Sequence, residues 1–290
     1  MSAFAQELEI AERAVRDAAA AIMAIYDSAG VRRKADGSFV TDADLASDRI
    51  IRTALTAAFP DDAILTEEGV DDQARLGIDR CWIAHPIDGT ASFVERGDDF
   101  DVYLALAVRD EPVVAVTIQP ATGLLLTAVA GEGAWITRGG VRAPLQYELA
   151  SDAVRIGTRA WLESPGNLPI LERVAATIGG ESRVIDAGFG LNVRSFLPPD
   201  RRLDAMVGIG TNGAALDAWV WDTAAVDLIV REAGGVSTDL RGNRLRFNQP
   251  SPRVAGLLFA TDPGTHARIL IALKKLLDPA DTPWTEVGND

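Results

Sequence analysis

Trp82-Ile83-Ala84-His85-Pro86-Ile87-Asp88-Gly89-Thr90 passes from apolar to polar residues within a few positions. Cys81-Trp82-Ile83-Ala84 reads as an apolar strand, and it ends abruptly at His85-Pro86. Strand ends and helix starts are where a scaffold presents polar groups to a cleft. Two other stretches concentrate acidic residues at such transitions. Thr66-Glu67-Glu68-Gly69 follows a short strand at Ala63-Ile64-Leu65, and Trp221-Asp222-Thr223-Ala224-Ala225 opens a helix. Each has a plain structural alternative. Glu67-Glu68 fits a solvated turn, Asp88-Gly89 a tight turn, and Asp222 a helix N-cap. Asp44 stands three residues after Thr41 and fits a capping-box variant.

Outward from the central stretch, residues 4–27 predict a helix. A loop over 32–38 leads to Val40-Thr41, and a second helix runs from about Ala43 to Ala58, before Pro60. Val102–Val108, Val113–Ile118, Leu124–Val129 and Gly133–Thr137 form a meander of antiparallel strands separated by Gly- and Pro-containing turns. Beyond it, strands at 154–157, 184–185, 203–207 and 257–260 alternate with helices at 168–178, 191–196, 222–233 and 266–277. The simplest division is an α+β half over 1–145 and an α/β half over 146–290, with no internal repeat.

Composition bounds the chemistry. The 290 residues carry 42 acidic and 28 basic side chains, a net charge of -14, with 48% hydrophobic residues. That is a globular composition, of a length for one large domain or two medium ones. The acidic balance argues against partners such as nucleic acid polymers and anionic membranes. No run of 18 apolar residues appears and the N-terminus lacks a signal-peptide pattern. With one cysteine, Cys81, a cytoplasmic location is expected, and the thiol itself reads as buried and inert. One cysteine and two histidines, His85 and His266, exclude an intrachain disulfide, an all-cysteine zinc site and a triple-histidine centre. Oxygen-ligand chemistry with hard cations such as Mg2+ stays open. His266 reads as a surface or half-buried helical residue. Only three lysines occur, and Lys34 is the only one before the C-terminal helix.

The ordered set carries a resemblance. Trp82 to Thr90 resembles the W-I-x-D-P-[IL]-D-G-T signature of the inositol monophosphatase superfamily. Trp221-Asp222-Thr223-Ala224-Ala225 followed by Glu232-Ala233-Gly234-Gly235 is similar to its second signature. Lys34 to Asp44, and Phe59-Pro60-Asp61-Asp62 leading to Glu67-Glu68-Gly69, match its N-terminal segments. The resemblance spans about residues 4–277. It implies a layered αβαβα sugar-phosphatase fold, mixing α+β and α/β parts, and Mg2+-dependent hydrolysis of a small phosphomonoester in a homodimeric protein. By position it places metal ligands at Glu67, His85, the Ile87 carbonyl, Asp88 and Asp222. Glu68 falls in a supporting place. Asp44 and Thr90 become the water-activating pair, with Glu67 also catalytic, while Gly89, Thr90 and Asp222 meet the substrate.

One position departs from the pattern: His85 stands where the family has an Asp. A carboxylate there can bridge two ions, whereas a neutral imidazole offers one lone pair and no charge. Imidazole suits Mn2+ or Zn2+ better than Mg2+. The departure leaves open an altered metal number or preference, weak activity, or a pseudo-phosphatase that binds a phosphorylated ligand. Substrate signals are mixed. Ala215 stands where inositol-selective members have a Glu, and Asp186 to Leu191 departs from the usual small residues. Phe93 to Phe100 and Thr238 to Asn248 are similar to the 3'(2'),5'-bisphosphate nucleotidase branch, and Lys34 to Asp44 to histidinol-phosphate phosphatases.

Overall fold

A computed structural model describes residues 3–35, 37–147, 153–157, 167–182, 193–197, 203–209 and 217–276. Its axis is strand β4 (Arg80–Asp88), buried on both faces. Such a strand needs apolar residues at every position, which is why the run at 81–84 shows no alternation. It lies in a seven-stranded sheet ordered β3 (Ala63–Thr66), β4, β5 (Asp101–Val108), β6 (Glu111–Gln119), β7 (Leu124–Val129), β8 (Gly133–Arg138) and β9 (Val141–Leu145). β3 and β4 are parallel, and every other pairing in the sheet is antiparallel.

Trp82 and Ala84 point to one face, against α1 (Ala5–Ala24) and α2 (Asp42–Ala58). Helix α1 buries Ala11, Ala14, Val15, Ala18 and Ile22, a stripe at helical spacing. Cys81 and Ile83 point to the other face, where they share a core with α5 (Val220–Glu232). Beyond α5 lies a second sheet, ordered β11 (Glu181–Ser182), β10 (Arg155–Gly157), β12 (Ala205–Val207), β16 (Leu258–Ala260) and β14 (Val236–Thr238). Alternation splits its side chains cleanly. Met206 and Phe259 face α5, while Ala205, Val207, Leu258 and Ala260 face α4 (Asn167–Ile178) and α6 (Pro263–Leu276). The result is five layers, αβαβα, with α5 buried between two sheets. That position explains its unbroken buried run from Val220 to Val230.

Several elements differ from the sequence expectation. The segment read as a loop is a hairpin of β1 (Val31–Arg33) and β2 (Phe39–Thr41). β1 is exposed throughout, so no hydrophobic alternation marks it. β9, β14, and the pair β13 (Asp217–Trp219) and β15 (Arg253–Ala255) were not expected. Three of these have three residues, too few for a periodic signal, and β9 is exposed along most of its length. The helix expected from Asp222 starts at Val220, and the one over 191–196 is a single 3-10 turn over Val193–Phe196 in the described part. The strand expected at Val184-Ile185, Ala215 and Asp186 to Leu191 lie outside the described residues. His266, expected at the surface or half-buried, is buried with Nε2 2.8 Å from Thr238 Oγ1.

Candidate active site and metal centre

Register brings the acidic stretches together. In the parallel pair, Thr66 lies beside Ala84, so the next residues along, Glu67 and His85, are neighbours at the carboxyl ends of β3 and β4. Such ends are where open α/β sheets bind ligands. His85 continues the face of Cys81 and Ile83, which carries its ring toward α5. The first turn of α5 holds Asp222 there. Its N-cap is Trp219, which makes no side-chain cap, so Asp222 is not spent on capping. Between His85 and Asp88 the ladder with β5 is bulged. Pro86 has no N–H to give that ladder, and its carbonyl is taken by Ser47 Oγ at 2.8 Å. The bulge turns Ile87 and Asp88 into the cleft.

The cleft has a volume of about 390 Å³ and is lined by Glu67, His85, Ile87, Asp88, Gly89, Thr90 and Asp222 on its floor. Ser38 and Phe39 of the hairpin and Trp219 of β13 line it as well. His85 Nε2 lies 2.5 Å from Glu67 Oε2, and Nδ1 lies 3.1 Å from Asp222 Oδ1 and 3.9 Å from Asp88 Oδ1. Lys34 Nζ donates to Glu67 Oε1 and to Glu68 Oε1, both at 2.7 Å. Glu67-Glu68 is therefore no solvated turn, and Lys34 is its counter-cation.

Charges follow from these partners. Burial alone pushes the His85 imidazole down, but Glu67 and Asp222 outweigh it and raise the ring well above its ordinary value. Burial pushes Glu67 up, and the His85 charge with Lys34 reverses this, lowering the carboxyl to about 2. Lys34 is raised, its desolvation overcome by Glu67 and Glu68. Burial raises Asp44.

Asp44 fills both of its readings. Oδ2 accepts from Thr41 N at 2.7 Å and Thr41 Oγ1 at 2.6 Å, closing the capping box of α2, while Oδ1 accepts from Thr90 Oγ1 at 3.1 Å. Thr90 Oγ1 also reaches the Ile87 carbonyl at 3.2 Å. Gly89 sits at φ 89°, and a Cβ there would stand 2.6 Å from the Asp99 carbonyl oxygen, so the turn requires glycine. It opens the short helix α3 (Thr90–Val94). The ligand atoms of His85, Asp88 and Asp222 all lie within 4.8 Å of one another, and all three residues are buried. Two carboxylates and an imidazole nitrogen so placed form a donor set that fits a divalent ion. Glu67 is outside that group.

Sequence reasoning located these residues along the chain. It did not find the Lys34 bridge or the cleft-lining Phe39 and Trp219. Lys34 carried a signal in its isolation; the two aromatics carried none.

No helix among the described residues is long and apolar enough to cross a membrane. The described fold is that of an IMPase of Thermotoga maritima, with a TM-score of 0.71, 24% identity, and 94% of this chain and 98% of that one covered. In sequence, the chain is 35% identical to an inositol-1-monophosphatase of Rhizobium meliloti over 73% of its own length and 76% of that protein. It is 34% identical to a histidinol-phosphatase of Chlorobaculum parvum, again over 73% and 76% of the two chains. Residues 5–277 match the inositol monophosphatase family as a whole, and the chain belongs to that family.

Proposed function

We propose that the chain hydrolyses a small phosphorylated metabolite, cleaving a phosphate monoester with water and a divalent metal ion. The observation that carries this reading is the Thr90–Asp44 hydrogen bond, 3.1 Å long, at the edge of the cleft that holds His85, Asp88 and Asp222. Thr90 Oγ1 donates to Asp44 and offers its lone pairs to the cleft, so it orients a water for attack. Asp44 is fixed by its two Thr41 contacts and holds that hydroxyl in one orientation. Gly89 keeps the backbone at the start of α3 open to phosphate oxygens. His85, Asp88 and Asp222, with the Ile87 carbonyl that the resemblance implies, would hold the ion. When bound, a divalent ion lowers the pKa of water and offsets negative charge on phosphate oxygens. Mg2+ is the ion of the resemblance, and His85 favours Mn2+ or Zn2+.

The cleft lining bears on the substrate. Phe39 lines the cleft with an apolar ring, the Arg33 guanidinium 4.3 Å from its centroid, whereas the Trp219 ring is stacked between Trp221 at 4.7 Å and the Arg253 guanidinium at 3.8 Å. Among inositol phosphate, histidinol phosphate and nucleotide 3'-phosphate, the Phe39 ring favours the imidazole or nucleobase over the polyol. The purified protein, assayed on a panel of these phosphomonoesters with Mg2+, Mn2+ or Zn2+, is expected to release phosphate. Absence of metal-dependent release from every substrate overturns the reading. The resemblance's cytoplasmic homodimer belongs to the same reading, and mass in solution checks the dimer.

One observation favours a second reading, a pseudo-phosphatase that binds a phosphorylated ligand. Both His85 nitrogens already face carboxylates. In that case His85→Asp creates Mg2+-dependent turnover that the parent lacks; a parent that turns over substrate rules it out.

A further inference from the structure

The two nitrogens of His85 serve different partners. Nε2 is against Glu67 Oε2, and the other oxygen of Glu67, Oε1, is held by Lys34. Both Glu67 oxygens are thus engaged, and the carboxylate already has a cation of its own. Nδ1 faces the opposite way, toward Asp222 and Asp88. The ring is buried, and Tyr103, its register partner on β5, packs its edge against it with centroids 6.2 Å apart. The ring, held on both edges and packed in this way, stands between Glu67 and the two aspartates.

We propose that the chain binds a single divalent ion through His85 Nδ1, Asp88 and Asp222, and that Glu67 orients His85 and is not a metal ligand. This rests on the metal-dependent reading above and assigns Glu67 a different part from the one its sequence position implies. A metal-bound histidine commonly donates its other ring N–H to a carboxylate, which fixes the tautomer and makes the ligand more basic. Glu67 stands where that carboxylate belongs, and Lys34 holds Glu67. An imidazole has one lone pair on the nitrogen it offers, so it cannot bridge two ions as a carboxylate does. The ion takes the place of the Nδ1 proton.

The test uses metal binding, with no substrate present. Mn2+ titrated into the metal-stripped protein, followed by calorimetry and metal analysis, is expected to bind with one equivalent per chain. Pulsed electron paramagnetic resonance of the Mn2+-loaded parent is expected to show coupling to a histidine nitrogen. Glu67→Gln keeps one equivalent and weakens binding by about 10- to 100-fold, the range for a group behind a ligand. His85→Asp loses the nitrogen coupling and gains a second equivalent. Two equivalents in the parent, no Mn2+ binding, or a parent spectrum without nitrogen coupling overturns the proposal. The parent measurements decide this even if a variant fails to fold. A chain that binds one ion in this way yet releases no phosphate from the panel refutes the catalytic reading and leaves the metal assignment standing.

Discussion

Thr90 Oγ1 lies 3.1 Å from Asp44 Oδ1, while Oδ2 of the same carboxylate caps the helix that carries it. One side chain thus serves stability and chemistry through separate oxygens, and substitution separates the two. Thr90→Ala removes the orienting hydroxyl and one methyl group and leaves the Asp44 cap in place. It is expected to lower kcat about 100-fold or more, with a stability change of about 1 kcal/mol or less. Thr90→Ser is expected to restore most of the rate. Asp44→Ala loses the cap as well, costing about 1–2 kcal/mol in urea unfolding, and combining it with Thr90→Ala slows the reaction little further. Full additivity of the two rate losses would show that they do not act as a unit.

The capping box and the pairing with Thr90 were both legible in the residues, the first from the Thr41–Asp44 spacing and the second from the resemblance. The sequence offered them as alternatives because nothing in spacing says that the two oxygens face different neighbours. The five layers came from the resemblance, while the residues themselves showed the central strand and the meander. A buried central strand and an antiparallel meander impose patterns over many residues, whereas β13, β14 and β15 are too short to do so. His85 was legible as a departure. Its position between Glu67 and the two aspartates depends on the parallel register of β3 and β4 and on the face that ring shares with Ile83, which are tertiary facts.

Gly89 and Gly37 have nearly the same positive φ, 89° and 87°, but different surroundings. A Cβ at Gly37 meets nothing within 4 Å, while one at Gly89 meets the Asp99 carbonyl oxygen at 2.6 Å, a backbone atom that cannot turn away. Gly37→Ala is expected to cost about 1 kcal/mol, the strain of the conformation alone. Gly89→Ala is expected to cost about 2–3 kcal/mol and to depress activity further by shifting Asp88 and Thr90. Thermal unfolding of both variants gives the comparison, and equal losses would refute the clash.

Burial pushes the Cys81 thiol up to about 12 from an ordinary value near 9. Between those pH values the folded chain keeps a proton that the unfolded chain has released. The contribution is therefore fully present below about pH 9 and is lost as pH rises toward 12. The fall approaches about 1.4 kcal/mol per pH unit for one proton. Cys81→Ala lacks it, so the stability gap between parent and variant is expected to narrow from pH 8 to pH 10.5 in urea unfolding. A constant gap would contradict the shift. At pH 8, alkylation of the native thiol is expected to proceed only as fast as the strand opens.

Arg194 donates to Asp101 Oδ2 at 2.9 Å and contacts Asp99, tying the 3-10 turn at Val193–Phe196 to the start of β5. Asp101 is the register partner of Asp88, so this tie lies beside the cluster of His85, Asp88 and Asp222. Burial raises the Asp101 carboxyl to about 7 even against the pull of Arg194. Removing the guanidinium raises this carboxyl further, so at neutral pH it takes up a proton, and the cost is that of lost buried hydrogen bonds, about 1–3 kcal/mol. Arg194→Ala is expected to show that loss in urea unfolding. Adding Asp101→Asn should return part of it above about pH 7, because the amide has no proton to lose as pH rises. Mn2+ affinity separates the tie from mere stability. It is expected to fall in Arg194→Ala at temperatures where the variant stays folded, since Asp88 is no longer held through β5. If the single variant costs under about 1 kcal/mol and binds Mn2+ as the parent does, the pair contributes no more than an ordinary exposed ion pair and does not hold Asp88.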